Sequence, residues 1–341
     1  MSKLMDTYGK LGLTNSKTTC SVDVPDISFE LLNDGKWHFY FDFTTEQQLK
    51  GYLGIYVNSG NATIDFGDGT PIATLSEEGI NYTYHEYSSL GEYRIDIEGD
   101  ITITGKKSVG SYLWRPYTPS SNLPTNLYTY SDYGLQALKF VEIPYGVTSI
   151  ENFAFYDCYS LKSINLPDGL ISIGNSAFNG CYSLQSINIP DGLTRIGSQA
   201  FNSCSSLQSI NLPGNLTIIG SGAFNNCYSL QNINLPDGLT SISDNIFNSC
   251  CALKSIKLHD GVTIIGNNAF RYCYTLTADF TSISLVDGAL PITFSLNVFD
   301  GLNATYGAKL LFANKEIADV AKTTTNLTAY ADLIHYVGED T

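Results

Sequence analysis

The chain has 341 residues, of which 43% are hydrophobic and only 15% are charged, and its formal net charge is −15. This composition is typical of a folded protein with a polar, weakly charged surface, and it excludes disorder of the whole chain. With 18 Lys and Arg against 33 Asp and Glu, the chain lacks the basic excess that nucleic acids and anionic membrane surfaces require of their partners.

Residues 1–24 form an N-terminal segment, and nothing in it predicts export or anchoring. The stretch MSKLMDTYGKLGLTNSKTTC has no apolar core of the kind that secretory signals need. The sequence has no apolar run of about 18 residues, so we expect no membrane-spanning helix. Three alternatives stay open: a mature exported protein, a cytoplasmic protein, or a protein that is released without secretion.

Residues 25–107 are predicted to form a β-sandwich. Short apolar runs alternate with turn residues here, as in WHFYFDF at 37–43, LGIYV at 53–57 and YRIDIEG at 93–99. Short strands at regular spacing are typical of two packed antiparallel sheets. Three motifs occur in order, namely IDFGDGT from residue 64, HEY from residue 85 and GEYRIDI from residue 91.

These motifs resemble the PKD-like domain, with Phe66 where that family more often has tryptophan. The resemblance implies a domain that spaces or presents its neighbours, or that binds protein or glycan. Asp65 and Asp68 of the GDG loop are weak candidates for a calcium site. Calcium needs six or more oxygens and the loop has two carboxylates, so we expect turn residues there, no metal and no cofactor.

Residues 108–137, rich in Pro, Ser and Tyr, are predicted to be a linker or the N-terminal cap of a repeat region. From residue 138 the sequence repeats every 23 residues. A fixed period of this length predicts a solenoid, in which each coil buries its apolar side against its neighbours. Six cysteines keep the period: Cys158, Cys181, Cys204, Cys227, Cys250 and Cys273. So do six phenylalanines: Phe155, Phe178, Phe201, Phe224, Phe247 and Phe270.

One repeat, LKSINLPDGLISIGNSAFNGCYS at 161–183, shows the path of a coil. Ile164 and Leu166 alternate with polar residues, which predicts a half-buried strand. Pro167 cannot continue the ladder, and Asp168 with the glycine after it predicts a turn. We expect Gly174 to permit a tight bend, and the Phe and Cys to close the coil as buried core residues and free thiols.

The pattern L-x-x-I-x-I-P-x-x-V-x-x-I-G-x-x-A-F-x-x-C resembles the BspA-like leucine-rich repeats. The resemblance covers 138–275, and a degenerate copy comes next, in which Phe299 is displaced by a six-residue insertion. It implies a mostly β, right-handed solenoid over 138–305 and a C-terminal cap over 306–341. It also implies binding of host or bacterial surface components.

Three polar rows on the repeats are candidate binding surfaces. The outer face of the predicted strand carries an asparagine row, consisting of Asn165, Asn188, Asn211 and Asn234. Beside it lies a serine row, consisting of Ser163, Ser186, Ser209, Asn232 and Ser255. A solvated face without a partner is the alternative role for these two rows. A tyrosine row stands just after the cysteines, consisting of Tyr159, Tyr182, Tyr228 and Tyr274. Tyrosine gives a large contact area at a low entropy cost, and stacking between coils is the alternative role for this row.

No catalytic motif accompanies these rows: the four histidines lie far apart in sequence, and no nucleophile elbow, phosphate loop or zinc motif occurs. We therefore expect a non-enzymatic adhesion protein, extracellular or at a cell surface, whose solenoid binds protein or glycan. A bacteriophage virion protein, which attaches to a host or decorates the particle, is the alternative that needs no secretion signal. An intracellular interaction scaffold is a lesser alternative.

Overall fold

The computed structural model describes residues 34–44, 50–76, 79–102, 115–116, 137–302 and 304–338. The protein is mostly β, with 7% helix, and a β-solenoid of about nine turns extends over residues 140–336. The mostly β solenoid predicted from the repeats is thereby confirmed. The predicted segment 1–24 and most of 108–137 lie outside the described residues, and the domain boundaries stay predictions.

The N-terminal region consists of antiparallel strands that share one hydrogen-bonded sheet. The long strand β2 pairs with β4 and β6 along its first half and with β3 along its second, so its two halves have different neighbours. The strands are β1 (Trp37–Phe43), β2 (Lys50–Asp65), β3 (Ala73–Leu75), β4 (Gly79–Glu86), β5 (Gly91–Thr102) and β6 (Arg115–Pro116). A PKD-like sandwich in this region stays a prediction.

Strand β1 joins the N-terminal region to the solenoid. Its alternating sequence sends Trp37, Phe39, Phe41 and Phe43 into the core, as the period of a strand requires. It pairs antiparallel with β5 on one side and with β7 (Leu138–Glu142), the strand of the first coil, on the other. One apolar core therefore continues from β1 through all the coils, and β1 covers the edge that the first coil would otherwise expose.

The coils contribute strands to two parallel rows, and the coil that begins at Leu184 contributes a strand only to the second. The first row contains β7, β9 (Ser163–Asn165), β12 (Ser209–Ile210), β14 (Asn232–Ile233), β16 (Ser255–Lys257) and β18 (Thr277–Phe280). The second contains β8 (Ser149–Ile150), β10 (Ser172–Ile173), β11 (Arg195–Ile196), β13 (Ile218–Ile219), β15 (Ser241–Ile242), β17 (Ile264–Ile265) and β19 (Thr293–Phe294). Equivalent residues pair with each other, as Ser172 does with Arg195, so the 23-residue period is also the register.

The phenylalanines form a stacked ladder in the core. All six periodic members are fully buried, and successive rings lie 5.3–5.7 Å apart with nearly parallel planes. Phe299 continues the ladder at 5.6 Å from Phe270. Phe299 is therefore the next phenylalanine of the ladder despite the six extra residues, as the sequence predicted.

Gly174 serves a different purpose from the bend that the sequence predicted. Its backbone does not need the left-handed region, but a Cβ there would lie 2.6 Å from the backbone nitrogen of Asn152 in the preceding coil. Gly197 and Gly220 have the same constraint. The glycine therefore permits a close approach between coils. The left-handed positions are elsewhere in the repeat, for example at Ser203 with φ of 61°.

The C-terminal part continues the first row and then covers it. Strand β20 (Lys309–Phe312) pairs with β18, and β21 (Ile334–Tyr336) pairs with β20. Between them, helix α1 (Lys315–Thr323) begins at Asn314, whose Oδ1 accepts a 3.1 Å hydrogen bond from the Ile317 N–H. Neither α1 nor any other helix among the described residues is long and apolar enough to cross a membrane.

Candidate binding surfaces

The asparagine row projects from the outer face of the first strand row. Ile210 and Ile233 belong to strands, whereas Ile187 lies in an extended segment outside any strand, and all three are buried. The residue that follows each of them therefore points outward. Asn188, Asn211 and Asn234 are exposed, whereas Asn165 is half-buried. Neighbouring members stand one coil apart, about 4.8 Å.

The exposed asparagines differ from the asparagines that hold the coils together. Asn152 Oδ1 accepts a 2.6 Å hydrogen bond from the Asn175 N–H of the next coil, and Asn175 Oδ1 accepts one of 2.8 Å from the Ser198 N–H. Within the described residues, no side-chain hydrogen bond engages Asn188, Asn211 or Asn234. Their carboxamides are therefore available to a partner, and they do not serve the fold.

The strand face is covered at the N-terminal end of the solenoid, and the sequence did not indicate this. Ser163 of the serine row is only 4% exposed, whereas Ser209, Asn232 and Ser255 are exposed. Ser163 in β9 is paired with Phe140 in β7, and the ring of Phe140 lies 5.3 Å from that of Tyr40 in β1. The exposed part of the strand face therefore begins after the coil that contains Ser163.

A polar cleft of about 600 Å³ interrupts the strand face at Asn234. Lys257, His259, Asp260 and Ser282 contribute to its walls. The chain leaves the regular path beside this cleft. The Thr281 N–H donates a 2.8 Å hydrogen bond to Asp279 Oδ1, and the Pro-Asp-Gly turn that three earlier repeats have is absent. Sequence reasoning had found Asn234 but not the cleft around it.

His259 replaces the proline of the other repeats and leaves a buried atom unpaired. Its Nδ1 accepts a 3.1 Å hydrogen bond from the Gly261 N–H, so the neutral ring carries its proton on Nε2. Nε2 is buried and has no hydrogen-bond partner among the described residues. An unsatisfied buried donor is destabilising, so His259 weakens its coil.

Each member of the tyrosine row directly follows one of the periodic cysteines in the sequence. Tyr182, Tyr228 and Tyr274 are 47%, 50% and 40% exposed, and Tyr159 is half-buried. The rings of Tyr159 and Tyr182 stack with centroids 5.0 Å apart and planes 6° from parallel. Burial, with the nearby charge of Asp157, raises the pKa of Tyr159 to about 12. The row thus combines a stacked pair with large exposed rings.

The periodic cysteines are buried free thiols. Each one after the first donates its thiol to the carbonyl oxygen of the phenylalanine in the preceding coil, as Cys204 Sγ does to Phe178 at 3.2 Å. Burial raises the pKa of Cys204 and Cys250 well above the ordinary value, which keeps them as unreactive thiols. Cys251 is partly exposed.

The GDG loop uses both of its carboxylates in local hydrogen bonds. Asp65 Oδ1 accepts from the Gly67 N–H at 2.9 Å, while Asp68 accepts from Thr70 and lies 2.9 Å from His85 Nε2. Burial raises the pKa of Asp68, but these hydrogen bonds outweigh it and lower the pKa. The described residues contain no group of three or more His, Cys, Asp or Glu that could hold a metal ion.

A charged network beside the junction was missed from the sequence. The buried ring of His38 has Nδ1 2.7 Å from Asp96 Oδ1 and Nε2 2.8 Å from Asp34 Oδ1, and Arg94 donates to Asp96 at 2.6 Å. Burial lowers the pKa of His38, but Asp96 and Asp34 outweigh it and raise the pKa above 6.5. Only the period-2 pattern of WHFYFDF hinted that His38 faces away from the core.

A family model of the BspA type leucine rich repeat region matches this chain in six copies, over residues 125–250 and 196–285. A comparison with curated proteins gave no match. Among solved structures, a Leucine Rich Repeat protein of T. pallidum is 32% identical, with a TM-score of 0.36, over 40% of this chain and 77% of that one.

Two further solved structures are similar in part. A leucine-rich repeat protein from Bacteroides ovatus is 32% identical, with a TM-score of 0.46, over 54% of this chain and 51% of that one. A leucine rich cell surface protein from Faecalibacterium prausnitzii is 23% identical, with a TM-score of 0.22, over 60% of this chain and 80% of that one. The matched part thus spans about half of the Bacteroides protein.

Proposed function

The chain belongs to the BspA type leucine-rich repeat family, and we propose that its solenoid is a recognition module that binds a protein or a glycan and catalyses no reaction. The observation that carries the proposal is the set of exposed carboxamides on Asn188, Asn211 and Asn234, which no hydrogen bond within the described residues engages. They recur in three successive coils, so an extended partner could repeat the same contact along the solenoid.

The contacts of the N-terminal strands favour a role for them in presenting the solenoid to its partner. Strand β1 is hydrogen-bonded to the first coil, so the two parts share a sheet and a core. The strand face is covered near Ser163 and exposed from Ser209 onward. We place the partner on the coils beyond Ser163, and we place the protein at the cell exterior, where adhesion would occur.

A binding experiment on the full chain tests the proposal. The labelled protein is applied to arrays of glycans and extracellular proteins and to cultured cells. Replacing Asn188, Asn211 and Asn234 together by Ala is expected to weaken binding by at least about tenfold, since three weak hydrogen-bonding groups are removed at once.

The matched control changes the second strand row, where Ser172, Arg195 and Ser241 are replaced by Ala. Arg195 and Ser241 lie on a different side of the coils that carry Asn188 and Asn234, and Ser172 lies on that same side of the preceding coil, so binding should persist. Equal loss in both variants, with the fold of each intact by circular dichroism, would contradict the proposal, as would a wild-type chain that binds nothing on arrays or cells. Protease treatment of intact cells tests the location separately.

A further inference from the structure

The polar cleft beside Asn234 contains charged groups that do not pair with one another. Six of its eight lining residues, which come from three successive coils, have polar side chains: Asn234, Asp237, Lys257, His259, Asp260 and Ser282. All of these except His259 are exposed. Within the described residues, no ion pair or side-chain hydrogen bond engages the five exposed side chains. Donors, acceptors and both signs of charge are therefore available to a ligand in one place.

The two carboxylates of the cleft are not used by their own turns. Asp237 and Asp260 hold equivalent positions in adjacent coils, and a Cβ on Gly261 would lie 3.8 Å from the Asp237 carbonyl oxygen. Asp68 and Asp279 accept hydrogen bonds from N–H groups two residues further on, whereas the side chains of Asp237 and Asp260 accept none within the described part of the chain. Neighbouring carboxylates without donors repel each other, so a ligand that donates to both is favoured.

Lys257 has no counter-ion although an acidic residue is its partner in the next strand. It pairs with Asp279 of β18, but Asp279 Oδ1 accepts the 2.8 Å hydrogen bond from the Thr281 N–H and forms no ion pair with Lys257 among the described residues. Lys257 also replaces asparagine at the position that Asn234 holds one coil earlier. His259 adds a wall, but its unpaired Nε2 is buried, so the ammonium group of Lys257 is the cationic donor that a ligand reaches.

This set of groups selects the chemistry of the ligand. One ammonium group stands against two carboxylates, in a chain whose net charge is −15, so an anionic ligand would be repelled. A neutral ligand must donate to the carboxylates and accept from the lysine, and hydroxyl groups do both. We propose that the polar cleft binds a neutral saccharide unit, which makes the partner of the solenoid a glycan. This proposal rests on the proposed function and names the chemical class of its partner.

The surroundings of the cleft favour a saccharide over a peptide. Strand β16, which carries Lys257, is paired with β14 on one side and with β18 on the other, so it offers no free edge to an added peptide strand. Peptide side chains that anchor in pockets are mostly large and need apolar walls, whereas Leu235 is the single apolar side chain among the described residues that line the cleft. The volume of about 600 Å³ is that of a small-molecule site, but with polar walls.

The first test applies the labelled full chain to an array of neutral oligosaccharides, acidic oligosaccharides and proteins. Asp237→Asn combined with Asp260→Asn removes both charges and keeps residues that suit turns. This variant should bind neutral oligosaccharides at least about tenfold more weakly than the wild type. Asp168→Asn combined with Asp191→Asn is the matched control, because these exposed residues hold the same positions in two other adjacent coils and do not line the cleft. Equal loss in the two variants would overturn the proposal.

The second test blocks the cleft and removes its ammonium group. Ser282→Tyr places a ring in the cleft, and Lys257→Met keeps the length of the side chain without the donor, so each should weaken saccharide binding at least about tenfold. Ser284→Tyr and Lys254→Met are the controls, since both residues are exposed and neither lines the cleft. Wild-type binding by Ser282→Tyr and Lys257→Met would contradict the assignment of this site.

The remaining outcomes separate this proposal from the proposed function. Binding of a neutral saccharide should change little with salt, because the ligand has no charge to be screened. Binding of acidic oligosaccharides alone, weakened by salt, would refute the neutral ligand. Binding of proteins alone through the asparagine row would refute the glycan and leave the proposed function standing. The cleft variants keep Asn234, so full glycan binding by them, with loss in the triple asparagine variant, would overturn only the cleft.

Discussion

Replacing Phe201 by Ala should destabilise the solenoid more than any exposed substitution in the same coil. The ring is fully buried and stacks on Phe178 at 5.3 Å and on Phe224 at 5.5 Å. Truncation of a buried Phe costs about 3–5 kcal/mol, and the removal of ring stacking on both sides puts this site in the upper half of that range.

The coil cannot collapse around the cavity because its backbone is fixed on both sides. The Phe178 N–H donates to the Ala200 carbonyl oxygen at 2.7 Å, and the Phe201 N–H donates to that of Ala223 at 2.8 Å. Equilibrium urea unfolding followed by circular dichroism measures the destabilisation. Phe153→Ala is the control, because Phe153 is half-buried and outside the ladder, and it should cost less than about 1.5 kcal/mol. A cost below about 1 kcal/mol for Phe201→Ala would refute the stacked core.

Three other perturbations test separate features. His259→Pro should raise the free energy of unfolding by about 0.5–1 kcal/mol in urea melts, because it removes an unpaired buried donor and restores the residue of the other repeats. In a Cys20→Ser background, maleimide should label native Cys251 first and Cys204 only after denaturation, whereas rapid native labelling of Cys204 would contradict its burial. Folding raises the pKa of His38. The contribution of protonated His38 to the free energy of unfolding is therefore complete below pH 6.5, and it declines as the pH rises through the folded pKa. Urea melts across pH should show this decline in the wild type and not in His38→Gln.

The coils could be predicted because each ladder residue makes the same contact in successive coils. Phe201 stacks on Phe224 at the equivalent position of the next coil, and the Phe201 carbonyl oxygen accepts a hydrogen bond from the Cys227 thiol, so both contacts recur with the sequence period. Even the displaced Phe299 could be placed, since it stacks on Phe270 although six more residues separate them than in the other repeats. The asparagine and tyrosine rows were found from the same period, since residues beside buried positions must point outward.

The features that the sequence did not reveal depend on contacts with no period. His38 and Asp96 are 58 residues apart, and no local pattern signals that antiparallel pairing of β1 with β5 brings them together. The burial of Ser163 results from the end of the solenoid and not from its own repeat, which resembles the others. Gly174 was assigned to a bend because glycine signals a turn in most sequences, whereas the constraint lies in the adjacent coil.

Coil positions whose residue is constant and coil positions whose residue changes can contribute differently to recognition of a partner. Positions that are the same in every coil, such as the phenylalanines and cysteines, are occupied in stacking and in thiol hydrogen bonds, so they cannot distinguish one part of the solenoid from another. The row that contains Tyr182, Ser205 and Tyr228 alternates instead, and stacking alone would be served at least as well by tyrosine in every coil. Smaller residues at alternate positions give up ring stacking worth about 0.5–1.5 kcal/mol each. Stacking between coils therefore does not by itself explain the alternation of this row.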